Sequence, residues 1–175
     1  MPTDTTWPTL RVPRRPRART PRHLKHIALA AAAVVVTAVL GALVTAPAIA
    51  DGWYASLALP SWTPPRAVFG PAWTLLYALQ IAAVALVIRR EGDPVRPAAL
   101  LFFGLQLTLN AAWSVLFFGL RSPIAGLVDV SLLFVMLAAT TYLFFLMRPL
   151  AGALMVPNLM WVAFATSLNL AIVAG

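Results

Sequence analysis

The chain has no cysteine, two histidines and only five acidic residues among its 175. Without cysteine there is no disulfide, no thiolate metal site and no thiol nucleophile. Both histidines, His23 and His26, lie in the basic N-terminal stretch. That excludes an imidazole base or a histidine-held metal inside the apolar runs that follow. Charged residues of every kind make up 10% of the chain, against about 25% in soluble domains. There is no phosphate-cradling glycine loop, no nucleophile–base set and no metal-ligand cluster. These absences argue against a conventional hydrolase, kinase or metalloenzyme. What is present is apolar: 61% of the residues are hydrophobic. That balance at this length describes an all-α integral membrane protein of one domain.

Five apolar runs divide the sequence. They cover residues 27–49, 69–88, 97–120, 124–147 and 150–174. The first, as a helix, rises about 34 Å and spans a hydrocarbon core of about 30 Å. A basic flank before it and Ala48-Ile49-Ala50 at its end imitate a cleavable signal. Its apolar part exceeds the ~7–15 residues of such a signal, so a retained span is expected. Pro97, Pro123 and Pro149 open the last three runs, where a missing N–H costs nothing. Pro157 lies inside the fifth and is expected to kink it. The expected architecture is a five-transmembrane-helix bundle over residues 27–175, with helices 2–5 alternating in direction across short loops.

Residues 1–26 hold Arg11, Arg14, Arg15, Arg17, Arg19, Arg22 and Lys25, interleaved with prolines. Such a segment is expected to be a disordered basic tail. With one tryptophan and no folded module beside it, nucleic acid is not the expected partner. Anionic lipid headgroups are, at about 1 kcal/mol per basic residue, unless the tail only sets orientation. Five spans place the tail with Arg89, Arg90, Arg96 and Arg148 on one side, and Arg66 and Arg121 on the other. The positive-inside rule then puts the N-terminus in the cytoplasm.

The segment WYASLALPSWTPPRAVFGPAWTLLY, residues 53–77, joins the first two runs. Pro60, Pro64 and Pro65 forbid one regular helix. An aromatic loop at the membrane–water boundary is expected, leading into a helix that starts near Phe69. Trp53, Tyr54 and Trp62 suit interface anchoring. In helix 2, Phe69, Trp73 and Tyr77 recur every four residues. In helix 5, Pro157, Trp161, Ala165 and Asn169 do the same. Gln106, Asn110 and Trp113 share one face of helix 3. Amides facing lipid are costly, so that face turns inward, for interhelical bonding or for ligand contact. Gly104, Thr108 and Ala112 form a small-residue ridge on the opposite face, suited to pairing with a second copy of helix 3. Asp129 is the only acid inside a span. It is a proton-relay candidate, or a structural partner of Arg121 or of a neighbouring helix.

Several ordered blocks in this sequence resemble the TspO/MBR family, the tryptophan-rich sensory proteins and translocator proteins. They are Trp53-Tyr54-Ala55-Ser56-Leu57, Pro60-Ser61-Trp62-Thr63-Pro64-Pro65, Phe69-Gly70-Pro71-Ala72-Trp73-Thr74, Leu109-Asn110-Ala111-Ala112-Trp113-Ser114, Phe117-Phe118-Gly119 and Trp161-Val162-Ala163-Phe164-Ala165-Thr166. The resemblance implies five helices, a ligand cavity open toward the first loop, and a homodimer. It implies binding of porphyrin or a haem-like tetrapyrrole as ligand, with no cofactor required. By motif position, Trp53 and Trp62 match lid tryptophans, and Trp73, Asn110, Trp161 and Ala165 match cavity residues. Where many members carry a tyrosine after the helix-5 proline, this chain has Asn158. The aromatic and basic residues of a sterol motif are missing from the end of helix 5.

The function this implies is tetrapyrrole binding in transport, sensing or disposal, in a bacterial cell membrane. One alternative is light-dependent porphyrin degradation, with Trp73 and Trp161 as redox partners. Another is a small proton-linked transporter using Asp129.

Overall fold

The computed structural model describes residues 22–175. They form five long helices: α1 (Arg22–Ala50), α2 (Arg66–Ile88), α3 (Arg96–Ser114), α4 (Pro123–Met147) and α5 (Pro149–Ala174). Each is long and apolar enough to cross a membrane. A 3₁₀ turn at Tyr54–Ser56 sits in the α1–α2 loop, and a π-turn at Val115–Gly119 extends α3.

Three expected boundaries shift. Residues 22–26, assigned to the disordered tail, form the first turn of α1. Pro21 is the last proline of the tail, and nothing after it breaks the helix. Residues 1–21 lie outside the described residues. The second helix begins at Arg66 rather than Phe69, directly after Pro65. The third is α-helical only to Ser114; beyond it the Leu120 N–H bonds the Val115 carbonyl at 2.7 Å, a five-residue step. The α5 helix continues through Pro157.

Local chemistry explains the sharp turns. Ser122 caps α4, its Oγ accepting from the Ala125 N–H at 3.3 Å, and Pro123 follows at the first helical position. Arg148 is extended (φ −159°, ψ 116°) because Pro149 follows it, so α4 and α5 are joined by a one-residue corner. Those two helices form the most extensive helix–helix contact in the bundle. Around the bundle, α1 touches α2 and α3, α2 touches α5, α5 touches α4, and α4 touches α3. The ring order is therefore 1-2-5-4-3.

The two halves of the bundle differ. Toward the α1 N-terminus the interior is filled by Val84, Val87, Phe103, Leu137, Phe144 and Met155, all buried. Phe103 and Phe144 stack there, their ring centroids 5.8 Å apart. Gln106 Nε2 donates to Gln80 Oε1 at 2.9 Å and ties α3 to α2 within this core. Toward the α1 C-terminus the helices enclose a cavity instead.

Candidate functional site

The cavity has a volume of about 430 Å³, within the usual range for a small-molecule site. Four helices wall it, and α4 contributes nothing to its lining. From α2 come Phe69, Trp73 and Tyr77, the whole expected stripe. From α5 come Trp161, Ala165 and Asn169, while Pro157 points elsewhere and is exposed. From α3 come Asn110 and Trp113. Gln106, on the same helix face, is one turn too deep and serves the core.

The polar groups divide between structure and cavity. Tyr77 Oη donates to Asn110 Oδ1 at 2.7 Å, so Asn110 keeps its Nδ2 donors for a ligand. Trp113 Nε1 donates to Asn169 Oδ1 at 3.3 Å, and Asn169 Nδ2 donates to the Pro123 carbonyl at 2.8 Å. That chain anchors the start of α4 to α3 and α5. Among the described residues the indole N–H groups of Trp73 and Trp161 have no protein partner. Among the described residues Arg66, at the mouth, is the one charged residue on the wall. Tyr54 lies in the loop and also lines the cavity; burial pushes its hydroxyl above the usual tyrosine value, and the Arg66 charge partly offsets this.

Aromatic rings form two connected groups. On one side Trp73 stacks on Tyr77 (5.4 Å, 28°) and meets Trp161 edge-on (6.4 Å, 79°). Trp161 in turn touches Phe69 at 5.9 Å and Phe164 at 5.7 Å. On the other side Trp113 stacks on Phe117 (5.2 Å, 21°), and Phe117 and Phe118 pack edge-to-face at 4.9 Å. The π-turn places those two phenylalanines. Its extra residue shifts the helix register and turns both rings inward, a common use of such bulges. Gly126 of α4 makes room for them: a Cβ there would lie 2.9 Å from Phe117 and 3.1 Å from Asn169 Oδ1.

The two loop tryptophans stand behind the wall rather than on it. Trp53 is half-buried and packs its ring against Phe117 at 5.6 Å. Trp62 is 49% exposed and touches Phe164 at 5.7 Å. The loop is held down at a different point. The Asp51 carboxylate pairs with Arg121 across to the α3–α4 turn, and its other oxygen accepts from the Trp53 N–H at 3.0 Å. The pairing of Arg121 with Asp129 is therefore corrected. Arg121 adopts a left-handed backbone (φ 52°) that aims its side chain at the loop, while Asp129 is buried on α4 away from the cavity.

The fourth wall was not anticipated. Ala38, Gly41, Ala42, Thr45 and Ala46 of α1 line the cavity. Their spacing of i, i+3, i+4, i+7 and i+8 is one helix face. That stripe of small residues reads as a close-approach surface; its one polar group is the Thr45 hydroxyl, and it carries no aromatic ring that signals a ligand.

The TspO/MBR family profile matches residues 29–174. The chain belongs to the TspO/MBR family. It is 41% identical over 128 residues to tryptophan-rich protein TspO of Chlorobaculum tepidum, covering 72% of this chain and 80% of that protein. It is 41% identical over 119 residues to the tryptophan-rich sensory protein of Cereibacter sphaeroides, covering 68% and 73%. It is 42% identical over 120 residues to the human translocator protein, covering 67% and 70%. This TspO/MBR member is an integral membrane protein, and its family-signature blocks line or back the cavity.

Proposed function

We propose that the cavity binds a flat tetrapyrrole, a porphyrin or haem-like ligand, and that the protein acts in its transport, sensing or disposal. The observation that supports this reading is the wall itself: aromatic rings from α2, α3 and α5 around an apolar space with one free amide. Stacked or edge-on rings suit the faces of a macrocycle. Asn110 Nδ2 suits a polar edge, and Arg66 at the mouth suits a carboxylate substituent. A relative named translocator protein favours transport among the three roles.

The N-terminus lies in the cytoplasm in this reading, and α3 pairs with a second copy through Gly104 and Thr108. Both residues are exposed on the outer face of α3. Thr108 Oγ1 donates to the Gly104 carbonyl at 3.1 Å, so the hydroxyl is satisfied within its own helix.

The test is a titration of purified protein with protoporphyrin, followed by absorbance in the dark and under illumination. One-to-one binding with an unchanged pigment spectrum supports the binding reading. Loss of the pigment bands only in light supports the degradation alternative. Absence of saturable binding removes both.

A further inference from the structure

Below the cavity, three of its lining stripes continue into amides. Tyr77 and Asn110 are the deepest lining residues of α2 and α3, and Trp161 is the deepest of α5. Gln80 follows Tyr77 by three residues, Gln106 precedes Asn110 by four, and Asn158 precedes Trp161 by three. Steps of three and four keep to one helix face. Asn158 also precedes Ala165 by seven residues, nearly two turns, and so shares its face. All three amides are fully buried, and none of them lines the cavity. The Tyr77–Asn110 hydrogen bond crosses the floor above them.

These amides are poorly satisfied. One hydrogen bond joins two of them, from Gln106 Nε2 to Gln80 Oε1. Gln80 Nε2, Gln106 Oε1 and both polar side-chain atoms of Asn158 have no partner among the described residues. A buried donor or acceptor left unpaired is costly, the more so in a bundle surrounded by lipid. The buried Thr140 and Thr141 hydroxyls avoid that cost, each donating to a carbonyl four residues back at 2.8 Å. The four open atoms are two donors and two acceptors, and none of the three residues is ionisable. The wall above them differs. Asn110 Oδ1 and Asn169 Oδ1 already accept, so the free amide and indole groups of the wall are donors. Its one charge among the described residues, Arg66, stands fourteen residues from Gln80 along α2, a rise of about 21 Å.

We propose that the three amides are the inner end of the cavity, reached when Tyr77 turns its hydroxyl away from Asn110, and that they bind a neutral ligand group carrying both an N–H and a C=O. A primary carboxamide or a lactam is such a group. Its N–H donates to Gln106 Oε1 or Asn158 Oδ1, and its carbonyl accepts from Gln80 Nε2 or Asn158 Nδ2. A carboxylate is excluded from this end, because its charge would be buried with no cation beside it; it belongs at the mouth with Arg66. A ketone or an ester finds the donors but leaves the acceptors open. The inference rests on the cavity being a ligand site, and adds that the ligand enters with a neutral amide foremost.

The experiment compares pyrene-1-carboxamide with 1-acetylpyrene, a flat pair of the same shape in which a methyl replaces the amide nitrogen. Both are titrated into the purified full chain in detergent and read by quenching of tryptophan fluorescence. The parent should bind the carboxamide more tightly by about tenfold or more. Asn158→Val removes one donor and one acceptor and should reduce that preference below about threefold. Gln80→Met keeps the side-chain length without the amide, should do the same, and decides the matter if Asn158→Val fails to fold. Equal affinity of the parent for the two pyrenes overturns the proposal, as does a full preference that survives either substitution. Binding of protoporphyrin but of neither pyrene also overturns it and leaves the cavity reading intact, whereas failure of all three to bind removes both.

Discussion

At the scale of single residues, the cavity is defined as much by what is small as by what is aromatic. Ala165 sits on α5 one turn beyond Trp161, and both line the cavity. Leucine there adds three carbons to the wall while remaining compatible with a buried helix. Ala165→Leu should weaken protoporphyrin binding more than tenfold, about 1.4 kcal/mol, without changing expression or oligomeric state. Trp161→Phe should cost less, because a ring remains to meet Phe69 and Trp73 and only the indole N–H is lost. Fluorescence titration of both variants beside the parent measures the difference. Parent-like affinity in Ala165→Leu would mean that this stripe is ordinary packing.

At the scale of elements, the π-turn and α4 are coupled. The turn swings Phe117 and Phe118 toward the cavity, and α4 lies against its back only because Gly126 has no side chain. The atoms that a Cβ would meet belong to Phe117, whose ring is stacked on Trp113, and to Asn169, which is bonded to Trp113 and to Pro123. Neither can yield freely. Gly126→Ala should therefore destabilise the protein by about 1–3 kcal/mol, the usual cost of overpacking, and should loosen ligand binding with it. Gly104→Ala makes the control, since its added methyl meets open space and replaces glycine in a helix. Thermal melting in detergent should show a lowered midpoint for the first and no loss for the second.

At the scale of the whole molecule, basic residues are spread unevenly between the two ends of the bundle. The end bearing the α1 N-terminus carries Lys25, Arg89, Arg90, Arg96 and Arg148, in addition to the basic residues before α1. The other end has Arg66 and Arg121, and Arg121 is paired with Asp51. A reporter active only outside the cytoplasm should be silent when fused to the N-terminus and active on the C-terminus; the reverse pattern would invert the assignment. In the proposed reading a second copy meets the outer face of α3. Gly104→Leu combined with Ala112→Leu should convert dimer to monomer in size-exclusion chromatography with light scattering. Protoporphyrin binding should be retained, because neither residue lines the cavity. A dimer that survives both substitutions places the interface elsewhere.

The sequence by itself determined the solvent, the number of helices and most of the chemistry. Long apolar runs must hide their backbone polar groups as helices in lipid, and prolines fix where α4 and α5 begin, so these were legible without coordinates. The four-residue recurrence of Phe69, Trp73 and Tyr77, and of Trp161, Ala165 and Asn169, also showed which side chains share a face. Only the tertiary structure decided which of those faces meet. Gln106 and Asn110 have the same residue chemistry one turn apart on one helix face, yet one ties the core and the other lines the cavity, because the space between helices opens only above Tyr77. Arg121 was within sequence reach of Asp129 but turns to Asp51, since a left-handed backbone residue and a loop 70 positions away set its direction. The α1 wall stayed hidden for the same reason. Small residues become a binding surface only when three other helices stand around them, and that arrangement depends on contacts between segments far apart in the chain.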